Sequence, residues 1–181
     1  MSKSGDTFTG EITVSSRIVD YLSSGLYKDP AACLKELINN SYDADATRVE
    51  VLVQPDADRI IIHDDGSGMD RGEFVRHFER VSQSYKRMKS DRTRSGRPIV
   101  GRIGIGFIAA NEICDTMEVF STKRGSTELL HVTINFDAMR ADEAERIRGS
   151  EGEELKKADY AGEVLSAPLS HHYTRLFLIR V

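Results

Sequence analysis

The segment Glu36-Leu37-Ile38-Asn39-Asn40-Ser41-Tyr42-Asp43-Ala44 carries three polar side chains at helical spacing. Positions 36, 40 and 43 are four and three residues apart, so on a helix Glu36, Asn40 and Asp43 share one face while Leu34 and Ile38 point away. A polar stripe therefore backs onto an apolar one. Taken alone, the stripe also fits the solvent side of an amphipathic helix.

A second group follows three consecutive isoleucines, as His63-Asp64-Asp65-Gly66-Ser67-Gly68-Met69. Glycines at alternate positions let a backbone turn sharply and approach a flat ligand closely. Asp65 is then placed to accept a hydrogen bond from an exocyclic amine, which distinguishes adenine from guanine. A plain acidic turn is the competing reading, and whether Asp64 has a role beside Asp65 stays open at this point. A calcium loop is excluded, because counting from Asp64 the twelfth position holds Val75 where an EF-hand needs glutamate.

The third group is Gly101-Arg102-Ile103-Gly104-Ile105-Gly106-Phe107, whose backbone N–H groups could face phosphates at a helix start. No Gly-Lys-Ser/Thr follows, so it is not a Walker A loop, and no clear strand precedes it as a dinucleotide fingerprint requires. A flexible hinge is the alternative.

The elements that must position these groups are legible in outline. Thr7 to Val14 reads as a strand, and Ser15 can cap a short helix through Ile18, Val19 and Leu22. Asp29-Pro30 combines an N-cap acid with proline at the first helical position, which predicts a helix to about Asp43. Val49, Val51 and Val53 alternate as a strand, Pro55 to Asp58 is a turn, and Arg59 to His63 is the return strand of a hairpin. Gly72 to Val81 has helical spacing. From residue 82 to 101 the apolar pattern fails, and seven Lys or Arg residues lie between Lys86 and Arg102 with only Asp91 against them, so 82–101 reads as a mobile lid. An apolar helical stretch then ends near Cys114, Met117 to Ser121 and Leu129 to Phe136 are strands, Ala141 to Ala161 reads as a charged surface helix or excursion, and Thr174 to Val181 is strand-like.

A chain of 181 residues suits one domain with a continuous core, here expected to span 1–181 as a fragment of a longer protein. With 39% hydrophobic and 30% charged residues it reads as a globular protein rather than a disordered one. No apolar run reaches the roughly 20 residues that span a bilayer, and Met1 to Gly10 lacks a signal-peptide centre, so a cytoplasmic setting without membrane is expected. Cys33 and Cys114 sit in separate apolar segments and read as two reduced, packed thiols. A net charge of −4 gives no global pull on nucleic acid, which leaves the basic run at Lys86 to Arg102 as the local patch.

Together the three groups, in this order, resemble the GHKL ATPases, named for DNA gyrase, the ninety-kilodalton heat-shock chaperones, histidine kinases and MutL; the wording around Glu36 is nearest the chaperone, MutL and microrchidia-like branches. Thr174 to Ile179 is similar to the family's last motif, so the resemblance runs from about Phe8 to Val181 and is weakest between Arg140 and His172. It implies the Bergerat fold: a two-layer α/β sandwich with helices on one face of a mixed, largely antiparallel sheet.

Carried over by position, it implies Glu36 as the base that orients water and Asn40 as the side-chain ligand of Mg²⁺ in Mg·ATP. Asp65 would bind the adenine amine, Asp43 would support it from behind, Gly68 belongs to the same motif, Ala44 and Met69 would pack on the base, and Thr174 would reach the adenine side. Gly104, Ile105, Gly106 and Phe107 would wrap the phosphates, and Lys86 could neutralise them. The implied activity is slow, Mg-dependent ATP hydrolysis that drives a conformational switch, with ADP as product, an attached downstream domain and an ATP-dependent homodimer as partners. A non-hydrolysing nucleotide sensor and an ATP-gated DNA clamp are the alternatives. The protein client or nucleic acid it serves is not encoded in these motifs.

Overall fold

Asp29 accepts a hydrogen bond from the Ala31 N–H at 2.9 Å and Pro30 stands in the first turn, so helix α1 begins where its cap dictates and runs Pro30–Asp43. The computed structural model describes residues 5–15, 29–78, 92–101, 107–136, 147–148 and 154–181. The expected short helix after Ser15 lies outside the described residues. No helix among the described residues is long and apolar enough to cross a membrane.

Among the described residues eight strands form one sheet: β1 (Asp6–Ser15), β2 (Val49–Gln54), β3 (Arg59–Asp64), β4 (Thr116–Thr122), β5 (Glu128–Asn135), β6 (Ile147–Arg148), β7 (Glu154–Ser166) and β8 (Tyr173–Ile179). The order across the sheet is β1-β7-β5-β4-β8-β3-β2, with β6 paired to β7. Every described pairing is antiparallel, so the expected mixed sheet is antiparallel throughout this set. The β2–β3 hairpin turns through a short 3₁₀ segment, Pro55–Ala57, with Asp58 in the left-handed region at φ 47°.

One face of the sheet carries the core. Ile60 and Ile62 of β3, Leu178 of β8, Met117 and Val119 of β4, and Leu130, Val132 and Ile134 of β5 alternate with less buried neighbours, as period-2 side-chain direction requires. Against them pack Cys33 and Leu37 of α1, Phe74 of helix α2 (Arg71–Phe78), and Phe107, Ile108 and Cys114 around a 3₁₀ helix, Ile108–Glu112. Each such side chain contributes roughly 1.5–3 kcal/mol on burial. Phe74 stacks on Phe78 at 4.5 Å and meets the edge of Tyr160 at 5.2 Å, which ties α2 to the sheet. The opposite face is lined by half-buried aromatics, where Phe120 stacks on His131 at 4.1 Å and meets Phe177 edge-on.

Two sequence expectations change here. The apolar helical stretch before Cys114 takes the 3₁₀ form, and the charged segment Ala141 to Ala161, expected as a surface helix or excursion, runs into β7, an interior strand of thirteen residues between β1 and β5. The segment fits there because small and large residues alternate across strands. A methyl group on Gly162 would lie 2.5 Å from Phe8 Cζ, and one on Gly10 would lie 2.4 Å from the Tyr160 hydroxyl. Both cysteines are buried thiols outside any disulfide, and burial with the nearby Glu112 charge pushes the Cys33 thiol up to about 11, which makes it a packing group.

Candidate functional site

Strand parity decides which acid of the Asp64-Asp65 pair faces the helices. Ile60 and Ile62 point inward, so Asp64 does also, and it is 5% exposed. Its Oδ2 accepts from the Ser41 hydroxyl at 2.7 Å and its Oδ1 from the Gly66 N–H at 2.9 Å. Burial raises the Asp64 pKa above the ordinary carboxylate value, opposed by the hydrogen bonds from Ser41, Gly66 and the Thr174 backbone.

Asp65 turns the other way. Its carboxylate accepts from the Thr47 N–H at 2.7 Å, the Thr47 hydroxyl at 2.5 Å and the Arg48 N–H at 2.8 Å. These bonds, the Thr47 hydroxyl first, hold it down to about 2 and commit it to the α1–β2 connection. Asp65, expected to reach toward a base, therefore closes a loop on the far side of β3 from Ser41.

The glycines of this loop are set by close approach. A side chain on Gly66 would meet Asp64 Oδ1 at 2.9 Å and the Ala44 carbonyl at 3.0 Å. Gly68 has φ +63°, and a side chain there would stand 2.0 Å from the Thr122 carbonyl oxygen. Ala44, the C-cap of α1, accepts the Ser67 N–H at 2.8 Å, so the loop is pinned to the end of the helix. Met69, partly buried against the core, donates its N–H to Ser121 Oγ at 2.9 Å, and Ser121 Oγ lies 3.1 Å from Thr174 Oγ1. Thr174 itself is buried and sits opposite Asp64 in the β3–β8 register. His172 adds a ring-nitrogen contact of 2.8 Å to the Gly66 carbonyl.

Along α1, Glu36 and Asp43 are half-buried and Asn40 is exposed, on the shared face expected from their spacing. Asp43 accepts from two consecutive backbone donors, Val100 N–H at 2.9 Å and Gly101 N–H at 2.7 Å, rather than supporting either acid of the loop. Phe107 is buried with its ring 4.2 Å from Phe78, so its side chain belongs to the core. Lys86, Gly104, Ile105 and Gly106 lie outside the described residues. Of the expected lid, residues 92–101 are described; Arg92 bridges Pro98, and Gly96 takes φ +86° at the turn.

The sequence alone leaves Asp64 open and does not single out Ser41, Ser121 or His172. Ser41 lies on the buried side of α1 with Cys33 and Leu37, four residues apart in each step, and that periodicity was its available signal. A surface cleft of about 440 Å³ beside Asp6, Arg71 and Glu128 shares no residue with this site.

A helical layer over an antiparallel sheet, with an acid at the end of β3 held by α1, is the arrangement expected of a GHKL-type domain. The family model for histidine kinase-, DNA gyrase B- and HSP90-like ATPases matches residues 27–161, and the chain belongs to that family. It is 37% identical over 115 residues to the putative type II restriction enzyme HgiDII of Herpetosiphon aurantiacus, across 64% of this chain and 18% of that protein. It is 29% identical over 136 residues to the chaperone protein HtpG of Bacillus subtilis, across 63% of this chain and 21% of the other. With the mitochondrial heat shock protein 75 kDa of Bos taurus the identity is 30% over 126 residues, across 59% and 18%. The chain thus spans about a fifth of the length of the curated relatives it matches.

Proposed function

We propose that this domain binds Mg·ATP, hydrolyses it slowly and passes the change to attached segments as a conformational switch in a cytoplasmic setting. The observation that carries the reading is the buried Asp64 carboxylate at the end of β3, joined to α1 through Ser41 and lying beside Thr174. Ser41, Gly66 and the Thr174 backbone occupy three of the roughly four acceptor positions of the carboxylate, which leaves Asp64 able to take the exocyclic amine of adenine. Guanine presents a carbonyl at that position, and acceptor facing acceptor in a buried site rejects it. In this reading the base contact is Asp64, with Thr174 beside it and Met69 and Ala44 packing around the ring, while Asp65 is structural.

Glu36 is the general base: its carboxylate orients a water and takes its proton as the water attacks the terminal phosphate. Asn40 offers a neutral oxygen to the cation. Among the described residues no group of three His, Cys, Asp or Glu side chains could cage a metal, which suits Mg²⁺ carried in by a nucleotide and completed by phosphate oxygens and water. Held there, Mg²⁺ would supply positive charge against the phosphates. The names of the relatives, a chaperone and a restriction enzyme, point to different downstream tasks, so the ATPase-type domain is what this chain has in common with them.

The test is calorimetric titration of Mg·ATP, ADP and GTP into the protein and an Asp64→Asn variant. Adenine-selective, saturable binding that the variant loses supports the reading; equal binding of GTP, or an Asp64→Asn variant that binds ATP as before, removes it.

A further inference from the structure

Asp43 and Ser41 are two positions apart on α1, so their side chains leave the helix about 200° from each other. Ser41 holds Asp64; Asp43 therefore cannot serve the same end of the site. Its two oxygens instead accept the N–H groups of Val100 and Gly101, one each, at 2.9 and 2.7 Å. A side chain on Gly101 would stand 2.7 Å from Asp43 Oδ2 and 3.8 Å from Asn40 Oδ1, so this backbone lies directly on the helix face that carries Asn40.

A second anchor precedes it. Asp45, at φ 61° just past the helix, accepts from the Ser95 N–H at 3.0 Å and from the Ser95 hydroxyl. Arg97 donates to the Ala46 carbonyl at 2.7 Å and lies over the Tyr42 ring at 5.3 Å. The C-terminal end of α1 thus grips residues 95–101 at Tyr42, Asp43, Asp45 and Ala46.

We propose that Asp43 is a positioning residue for the phosphate side of the pocket: it fixes the Val100–Gly101 backbone against Asn40, with Asp45 anchoring the preceding turn, and takes no part in recognising the base. This rests on the ATP-site reading above. An acceptor pair matched to two consecutive donors sets both distance and angle, and an amide cannot replace it, because one of its two atoms is itself a donor.

The experiment compares Mg·ATP with adenosine, by calorimetry and competition, in the wild-type chain and the Asp43→Asn, Gly101→Ala and Asp64→Asn variants. Asp43→Asn should weaken ATP by about tenfold or more while adenosine stays within about twofold, since only the phosphate half is disturbed. Gly101→Ala, which keeps the carboxylate but displaces the same backbone, should reproduce that split and serves if Asp43→Asn fails to fold. Asp64→Asn should weaken both ligands. Equal loss of ATP and adenosine in the first two variants would return Asp43 to the adenine end and overturn the proposal, as would unchanged ATP affinity. A wild-type chain that binds neither ligand removes the underlying functional reading, a result distinct from either.

Discussion

The Ser41 hydroxyl donates to Asp64 Oδ2 at 2.7 Å, and through this one bond helix α1 meets the end of β3. It brings the first motif and the second together in a buried place, where a carboxylate is expensive to keep unless something uses it.

That expense is measurable. Burial raises the folded-state pKa of Asp64 above its unfolded value, so the ionised form is disfavoured by folding and this group's contribution to stability improves as pH falls through the folded pKa. Asp64→Asn should therefore raise the melting temperature of the ligand-free protein at neutral pH while abolishing ATP binding, because the Ser41 hydroxyl, unlike the fixed N–H groups that face Asp43, can turn toward the Leu37 carbonyl and accept from the new amide. The gain should shrink as the pH is lowered toward the range where wild-type Asp64 is protonated. A variant less stable than wild type at pH 7 would contradict this.

Asp65 should behave in the opposite sense. Its three hydrogen bonds to Thr47 and Arg48 hold its pKa down to about 2, so its stabilisation is present above the unfolded value and is lost as pH falls through about 2. Asp65→Ala should cost roughly 1–2 kcal/mol in urea unfolding near pH 7. ATP affinity should stay the same, and the difference from wild type should fade in acid.

Glu36→Gln keeps the shape of the side chain and removes the base. ATP affinity should hold within a few-fold, while single-turnover hydrolysis should fall by about a hundredfold or more. Loss of binding without a specific loss of turnover would assign Glu36 to the ligand rather than to the chemistry.

Gly162→Ala tests the packing of β7. Alanine suits a strand better than glycine, yet its methyl would enter the Phe8 ring, so the variant should lose about 1–3 kcal/mol of stability. Phe8→Leu in the same background should restore part of it, which thermal melts of the single and double variants would show.

The sequence was most readable where local chemistry and tertiary role agree. Asp29-Pro30 sets the start of α1 by capping alone, and the spacing of Glu36, Asn40 and Asp43 gave their common face. The second motif was harder because Ile60, Ile61 and Ile62 are equally apolar. Three in a row carry no parity, so the choice between Asp64 and Asp65 waited on which isoleucines the helices cover. β7 was misread for a different reason: Glu, Lys and Ala favour a helix locally, and only the neighbouring β1 and β5 make a strand of them. Asp43 shows the limit of spacing, which names a face but not the backbone that will come to lie on it.

The place of β7 also bears on the order in which the chain is made. β1 lies at one edge of the sheet, and its neighbour is not β2 but a strand from the far end of the sequence, with Phe8 opposite Gly162. During synthesis the β2–β3 hairpin can close as soon as it leaves the ribosome, whereas β1 must wait for the residues up to Val164.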